Sequence, residues 1–485
     1  MTGQPVSKAG DRTRGGEPEG RTLERRAFLK GLAAAPLVTT LGAGPKAGWP
    51  SPGPNDVVNV GVIGVGARGR GLMIAAGFAR PEQLRGNQRL GTEGQDPLGI
   101  RIAGICDCYD ARADWGVTAS GGAARRYRRF EDLLASREID AVIVATPDHW
   151  HAPIASAAAR AGKHVYLEKC FTHKVPETFE LAKAVKESKV VLQLGHQRRS
   201  GALYTRAREV MKQGILGDVT LVQVFSNRNS PNGAWNYEIP PGAGPESIDW
   251  AQFLGNAPKR PFDPDRFFRW RKYWDYGTGL MGDLFSHEWD GVDLVMGGLG
   301  MPATAVASGG VYYWKEKREV PDVLQVAYEY PERNLTLVYN ATLASSFARG
   351  PLYMGSDATM DLGRGVEVYA DRESERNREK IQGGQIQLDR PIVSELVAGT
   401  VRGGNDSFVR SVSASGQTAD VTYLHLKNWI EAIRNHRPAA CNEDVGLQEA
   451  LTTHMGVLAY QWGCRVRWDP KRQKIVPDAA PSARS

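Results

Sequence analysis

The sequence predicts an α/β protein in two parts, an N-terminal doubly wound parallel sheet and a C-terminal α+β domain with a large, mostly antiparallel open sheet. Three observations carry this expectation. A β-branched run near residue 60 ends in a glycine-rich turn and opens a helix, short apolar strands then alternate with helical stretches as far as residue 194, and longer extended segments with period-two alternation follow from residue 219. At 485 residues the chain exceeds one ordinary domain. Its 41% apolar and 24% charged residues leave room for a core and exclude disordered or collagen-like classes.

The first fifty residues have the order of an export signal. Glu24-Arg25-Arg26-Ala27-Phe28-Leu29-Lys30 precedes an alanine-rich apolar stretch from Gly31 to Leu41, and the paired arginines resemble those of a twin-arginine signal. That stretch is far below the roughly 20 residues that span a bilayer, so no membrane span is expected in the mature form. The implied location is periplasmic or otherwise extracytoplasmic. Pro45 to Asp56, rich in Pro and Gly, is expected to be a linker.

Of the net charge of +7, residues 1–50 hold +4, from eight Lys/Arg against four Asp/Glu. The remainder is too thinly spread for a nucleic-acid partner. The densest basic run, Arg125 to Arg129, is expected to be solvated surface. Five cysteines, an odd number and mostly far apart, suggest no disulfide framework; Cys106 and Cys108 fit strand-end positions rather than a redox or zinc pair.

Val57 to Ile63 runs directly into Gly64-Val65-Gly66-Ala67-Arg68-Gly69, followed by a helix-like Leu72 to Ala79. This is GxGxxG between a strand and a helix, the setting in which it marks a Rossmann dinucleotide-binding domain. Gly64 would permit the tight turn, Gly66 the approach of a pyrophosphate and Gly69 close helix packing, with Ala67 and Arg68 at the helix start. Further strands are expected at Ile100 to Cys106, Ala141 to Ala145, His164 to Glu168 and Val190 to Leu194. Asp107 follows the first of these, the second strand of the chain, where a carboxylate takes the ribose hydroxyls, and no Arg follows it immediately, which favours NAD over NADP. It lies 38 residues beyond Gly69 rather than about 20. An insertion at Pro81 to Gly99 accounts for the excess, and a helix N-cap is the alternative use of Asp107. The domain is expected to span 56–198 and a substrate-binding α/β domain 199–475.

Ala145-Thr146-Pro147-Asp148-His149-Trp150-His151 and Glu168-Lys169-Cys170 follow strands at their carboxyl ends, where open α/β sheets bind ligands. Together with the glycine turn these loops resemble the Gfo/Idh/MocA oxidoreductases, which carry a Thr-Pro-x-x-x-His loop and a Glu-Lys-Pro motif. The resemblance continues through Gly195 to Arg199, Trp250 to Phe262 and Gly282-Asp283-Leu284-Phe285-Ser286-His287, to about residue 470. It implies cofactor contacts at Thr146, Pro147, His151, Glu168 and Lys169, and a catalytic set of Lys169, Asp283 and His287. It also implies a homo-oligomer formed through the large sheet.

The chemistry of that set suits oxidation of a secondary alcohol. A neutral imidazole at His287 would take the hydroxyl proton near pH 7. Asp283, four residues earlier on one helix face, would orient the ring. Lys169 would stabilise the developing alkoxide. Cys170 departs from the family pattern, in which proline follows the lysine; without proline, local sterics restrain Lys169 less. The thiol itself is expected to be structural filler.

In the second half, Thr220 to Phe225, Leu324 to Tyr330 and Leu335 to Thr342 alternate like half-buried antiparallel strands. Arg266 to Trp274 is dense in aromatics and cations. It could stack and hydrogen-bond a sugar, through Trp270 and Tyr273, or fill an interdomain core. His196 and Arg198 are further candidate substrate contacts. No HExxH, EF-hand or GxSxG motif is present, and no metal is expected at Asp283, His287 and Asp290. The expectation is an NAD-dependent oxidoreductase (NADP being the other possible cofactor) that transfers hydride to or from a carbohydrate or polyol and holds its cofactor tightly. The alternative is a glycoside hydrolase that oxidises, eliminates and re-reduces within one cycle.

Overall fold

The computed structural model describes residues 56–79, 95–395, 410–412 and 418–478. The expected export signal, nearly all of the linker and most of the expected insertion lie outside the described residues. Among these residues no helix is long and apolar enough to cross a membrane.

Six strands form the first sheet: β1 (Val58–Ile63), β2 (Ile100–Cys106), β3 (Arg125–Tyr127), β4 (Ala141–Val144), β5 (His164–Leu167) and β6 (Leu192–Leu194). Their order is β3-β2-β1-β4-β5-β6, and each pairs in parallel with its neighbours. β4 and β5 are buried at every position, as strands covered on both faces must be, which explains their unbroken apolar sequence. The strand order reverses at β1, between β2 and β4, and this switch point opens a crevice beyond the strand ends.

Helix α1 (Ala67–Ala75) begins earlier than the apolar pattern suggests. Glycines at 69 and 71 lower helix propensity, but burial of Gly69 against the turn fixes the helix start. α2 (Asp110–Ala119), α3 (Phe130–Ala135), α4 (His151–Arg160) and α5 (Val175–Ser188) complete the crossovers. The Arg125 to Arg129 run is solvated except at Tyr127, yet it also contributes the edge strand β3. Arg126 there pairs with Asp110 and Asp114.

After α6 (Ala202–Lys212) the chain builds the second sheet from β7 (Val219–Asn227), β8 (Thr304–Gly310), β9 (Val323–Tyr330), β10 (Leu335–Thr342), β11 (Leu352–Gly355), β12 (Ala358–Asp361), β13 (Val366–Ala370) and β14 (Val393–Glu395). A hairpin of β15 (Arg410–Val412) and β16 (Thr418–Asp420) stands apart, and β17 (Val466–Asp469) and β18 (Lys474–Pro477) extend the far edge. The order is β14-β13-β12-β11-β7-β10-β9-β8-β17-β18, ten strands of which only β7 and β10 pair in parallel. Strict alternation of burial along β10 puts Leu335, Leu337, Tyr339 and Ala341 on the core face. Phe285 stacks on Tyr328 there, and α7 (Ser286–Met296) adds the fully buried Trp289. Truncating such a ring to alanine costs about 3–5 kcal/mol.

α8 (Val421–Arg434) brings the chain back to the first sheet. Its amphipathic face places Leu426, Trp429, Ile430 and Ile433 in one core with Val60, Val62 and Ile102. Asp420 caps it by accepting from Thr422 N at 2.6 Å and Tyr423 N at 3.2 Å. α9 (Glu443–Trp462) packs on α5 and on the core of the second sheet.

Candidate functional site

The glycine turn behaves as its spacing suggests. Gly64 has φ +90°, and a Cβ there would lie 2.6 Å from the carbonyl oxygen of Ala145, so only glycine fits. A Cβ on Gly69 would strike the Gly64 carbonyl, whereas one on Gly66 would meet only Arg112, at 3.9 Å. What Gly66 keeps clear is therefore space in the cavity in front of the α1 N-terminus. Asp107 accepts from Val65 N at 2.6 Å through one oxygen and from Tyr109 N at 2.9 Å through the other. It ties the turn to the end of β2 instead of capping α2, whose N-cap is Tyr109.

A cavity of about 1080 Å³ runs from this turn across the ends of β4 and β5 to the second sheet. Gly64, Gly66, Ala67, Arg68, Asp107, Thr146, Pro147 and Glu168 line one end; Lys169, Arg198, Trp270, Asp283 and His287 line the other. Arg68 donates from Nε to Glu168 at 2.6 Å and so joins α1 to the β5 loop. Burial would lower the guanidinium's pKa, but Glu168 more than reverses this and holds Arg68 charged.

Lys169 donates through Nζ to Asp283 Oδ1 at 2.8 Å and to the Asp283 carbonyl at 2.6 Å. Arg271 donates from Nε to the same Oδ1 at 2.8 Å, and Trp235 Nε1 donates to Oδ2 at 2.8 Å. Burial alone would raise the Asp283 carboxyl; Lys169, Arg271 and Arg228 outweigh it and hold the group well below the carboxylate range. Asp283 lies in a single wide turn of π-helix, Met281–Phe285, that leads into α7.

The expected contact between Asp283 and His287 is not made. No hydrogen bond joins them among the described residues, because three side-chain donors already occupy the carboxylate. His287 instead pairs through Nδ1 with Nδ1 of His196 at 3.3 Å, the rings meeting edge to face. Desolvation, with Lys169 and Arg198 nearby, pushes His287 well below the usual imidazole pKa. His196 is fully buried and lowered for the same first reason, with Arg199 and Lys169 adding to it. Both rings are neutral near pH 7. Nε2 of His287 has no protein partner among the described residues, on a side chain that lines the cavity.

His151, His196 and Tyr273 do not line the cavity. His151 is buried behind its wall, bridging the Cys170 carbonyl (2.6 Å) and the Thr146 carbonyl (2.9 Å), and so holds the two strand-end loops together. Tyr273 is buried in an aromatic cluster with Phe267 and Tyr276 and donates its hydroxyl to Asp265. For Tyr273 the core alternative holds, while Trp270, beneath the Arg271 guanidinium at 4.2 Å, faces the cavity. Cys170 is buried, its thiol pushed well up by desolvation and by Asp148, as suits filler; the Lys169-Cys170 peptide is cis. Among the described residues no group of His, Cys, Asp and Glu is arranged to hold a metal.

Sequence reasoning did not single out Trp235, Arg228 or Arg112. Trp235 reaches Asp283 from a backbone at φ +64°, which no local pattern announces. Arg112, five residues after Asp107, lies over Phe267 and Phe268 at 5.1 and 5.3 Å and lines the cavity near Gly66.

This fold and cavity define a dinucleotide-binding α/β protein whose second sheet completes the cleft. Comparisons with known proteins agree. Residues 58–196 match the family model described as "Oxidoreductase family, NAD-binding Rossmann fold", and residues 204–332 match its "C-terminal alpha/beta domain" counterpart, together more than half of the chain. An uncharacterized oxidoreductase of Synechocystis is 25% identical over 355 residues, covering 71% of this chain and 83% of that protein. A "Glycosyl hydrolase family 109 protein" of Shewanella is 27% identical over 224 residues, 41% of this chain and 44% of its own length. In fold, a levoglucosan dehydrogenase solved with NADH and levoglucosan superposes with a TM-score of 0.57 at 17% identity, over 87% of this chain and 99% of that one. The chain belongs to the Gfo/Idh/MocA oxidoreductase family, and it is an NAD(P)-dependent oxidoreductase.

Proposed function

We propose that the cavity oxidises, or in reverse reduces, one carbon of a carbohydrate or polyol, with Lys169 and His287 at the reacting oxygen. The observation that carries this is the convergence of Lys169, Asp283 and His287 on the end of a cavity whose other end is the glycine turn. Gly66 leaves a cradle at the α1 N-terminus and Asp107 and Thr146 line the same cavity, so the residues present would fit a dinucleotide, the helix N-terminus for its phosphates and Asp107 for a ribose. When bound, the nicotinamide supplies a two-electron acceptor.

The chain's own residues handle the proton and the charge. In the tautomer in which His287 donates from Nδ1 to His196, Nε2 is the bare lone pair and accepts the hydroxyl proton. Lys169, held by the carboxylate and carbonyl of Asp283, donates to the substrate oxygen as charge develops there. Asp283 thus serves as the anchor of Lys169 and Arg271, and His196 is the residue that orients the base.

The test is nucleotide reduction by the full chain, followed by absorbance over a panel of sugars and polyols. His287→Ala is expected to lower kcat/KM at least about 100-fold, the ordinary scale of a lost general base. Undiminished turnover in that variant would refute the role. Sugar released from a chromogenic glycoside without net reduction of nucleotide would favour the hydrolytic cycle, which the likeness to the Shewanella protein keeps in the panel.

The proposal extends to an exported, homo-oligomeric protein. Replacing Arg25 and Arg26 with lysine should then retain the chain in the cytoplasm of an expressing bacterium, and light scattering should return a multiple of the mass of the purified chain, which is 53.0 kDa for all 485 residues. Unchanged export, or a monomer mass, would remove the corresponding part.

A further inference from the structure

The end of the cavity formed by the second sheet is lined by five cations, Lys169, Arg198, Arg228, Arg271 and Arg349, against four carboxylates, Asp148, Glu238, Asp283 and Glu288. Asp283 is shared by two cations, Lys169 and Arg271, while Glu288 is taken by Arg198 at 2.8 Å. Two more arginines line the cavity from the ends of β7 and β10, parallel neighbours in the sheet. Arg228 follows β7 directly, its backbone N bonded to the Thr342 carbonyl at the end of β10. Arg349 lies in the loop after β10, with its guanidinium 5.6 Å from the Phe225 ring centre. Asn227 holds this loop by donating to the Phe347 carbonyl at 2.9 Å.

Neither guanidinium has a carboxylate or hydrogen-bond acceptor among the described residues. Arg228 nevertheless acts electrostatically on Asp283, which places its charge within reach of the reacting end. Arg228 and Arg349 are both exposed, and guanidinia that line a cavity while open to solvent are accessible to an anion entering it. The planar fork of each matches carboxylate and phosphate oxygens two at a time. The pyrophosphate of a dinucleotide has its own cradle at the α1 N-terminus, so these two arginines answer to something else.

We infer that the substrate is an anionic carbohydrate, a sugar acid or sugar phosphate, whose charged group is bound by Arg228 and Arg349 while the reacting alcohol faces Lys169 and His287. The inference rests on the proposed reaction at that site. Asn227, Asn229 and Asn232, which also line the cavity, supply amides for the remaining hydroxyls.

The test is isothermal titration of the full chain, with NAD present, against matched ligands: glucose, glucuronate and glucose 6-phosphate, then galactose, galacturonate and galactose 6-phosphate. At least one anionic member should bind about tenfold or more tighter than its neutral parent, and the advantage should narrow between about 20 and about 200 mM salt. The advantage should disappear in the Arg228→Gln/Arg349→Gln double variant. Whether carboxylate or phosphate wins identifies the anion. The inference is overturned if every anionic member binds no tighter than its parent, or if the preference ignores both salt and the double variant. Reading the same mixtures for nucleotide reduction separates the two levels. Anion preference without redox change leaves this inference and defeats the proposed reaction, and turnover of neutral sugars without anion preference does the reverse.

Discussion

Replacing Asp283 with asparagine probes the centre of the site at constant shape. The carboxylate receives Lys169 Nζ and Arg271 Nε on one oxygen and Trp235 Nε1 on the other, each at 2.8 Å. In the variant the amide oxygen can still accept from the two cations, but as neutral acceptor, weakening each charge-assisted bond by about 1 kcal/mol. The amide NH2 then faces the indole N–H, donor against donor, and leaves Trp235 unsatisfied in the interior at a further 1–3 kcal/mol or so. The opposite rotamer sets the NH2 against two cations and is worse. The expected loss is therefore about 3–5 kcal/mol, the range for removing one partner of a buried ion pair. Chemical denaturation of the full chain followed by far-ultraviolet circular dichroism measures it. Trp235→Phe removes the conflicting donor, so the double variant should cost about 1–2 kcal/mol less than the two single changes together. Strict additivity, or a loss below about 1 kcal/mol for Asp283→Asn, would refute the assignment of Asp283 as the shared anchor of Lys169, Arg271 and Trp235.

The other predictions concern the turn, the buried histidines and the thiols. Gly66→Val should fold, since a Cβ there meets only Arg112, at 3.9 Å, yet bind NAD at least about tenfold more weakly because it fills the cradle; calorimetric NAD titration decides. His425 and His454 are buried, with pKa values lowered by desolvation to about 4 and about 3. The unfolded chain therefore binds more protons as pH falls from about 6.5 towards 4, and stability should drop by about 2 kcal/mol per histidine between pH 7 and 5, as denaturant midpoints would show. A flat profile over that window would contradict their burial as neutral rings. Cys106, Cys170 and Cys441 are buried with thiols pushed up by desolvation, so iodoacetamide on the native protein should modify Cys464 first and these three only after denaturation, as peptide mass mapping would report.

The parallel sheet was legible because its strands are buried on both faces. Ile100 to Cys106 was bounded to the residue, and the glycine turn, Asp107 and the two strand-end loops followed from where such strands end. β3 was hidden because an edge strand carries exposed arginines and only Tyr127 turns inward. The return of α8 to the first sheet was hidden for another reason: an amphipathic helix shows that it has a buried face but not what covers it. Within the site, the sequence brought Lys169, Asp283 and His287 to one place but misjudged who holds whom. Spacing of four on a helix allows contact, whereas the competition of Lys169, Arg271 and Trp235 for one carboxylate is a tertiary fact, as is the pairing of His196 with His287. Tyr273 and His151 show the same limit, since their side chains face away from the cavity that their neighbours line.

The most direct measurement is to follow hydrogen from sugar carbon to nucleotide. The full chain is incubated with NAD and a panel of carbohydrates deuterated at carbon, and the nucleotide is recovered and weighed by mass spectrometry. Reduced nucleotide carrying one extra deuterium, formed by the native chain and not by Lys169→Met or His287→Ala, is the expected result. Nucleotide that binds but is recovered oxidised and unlabelled with every carbohydrate would contradict net oxidation of a sugar at this site, and label that transfers equally well without Lys169 and His287 would contradict their roles.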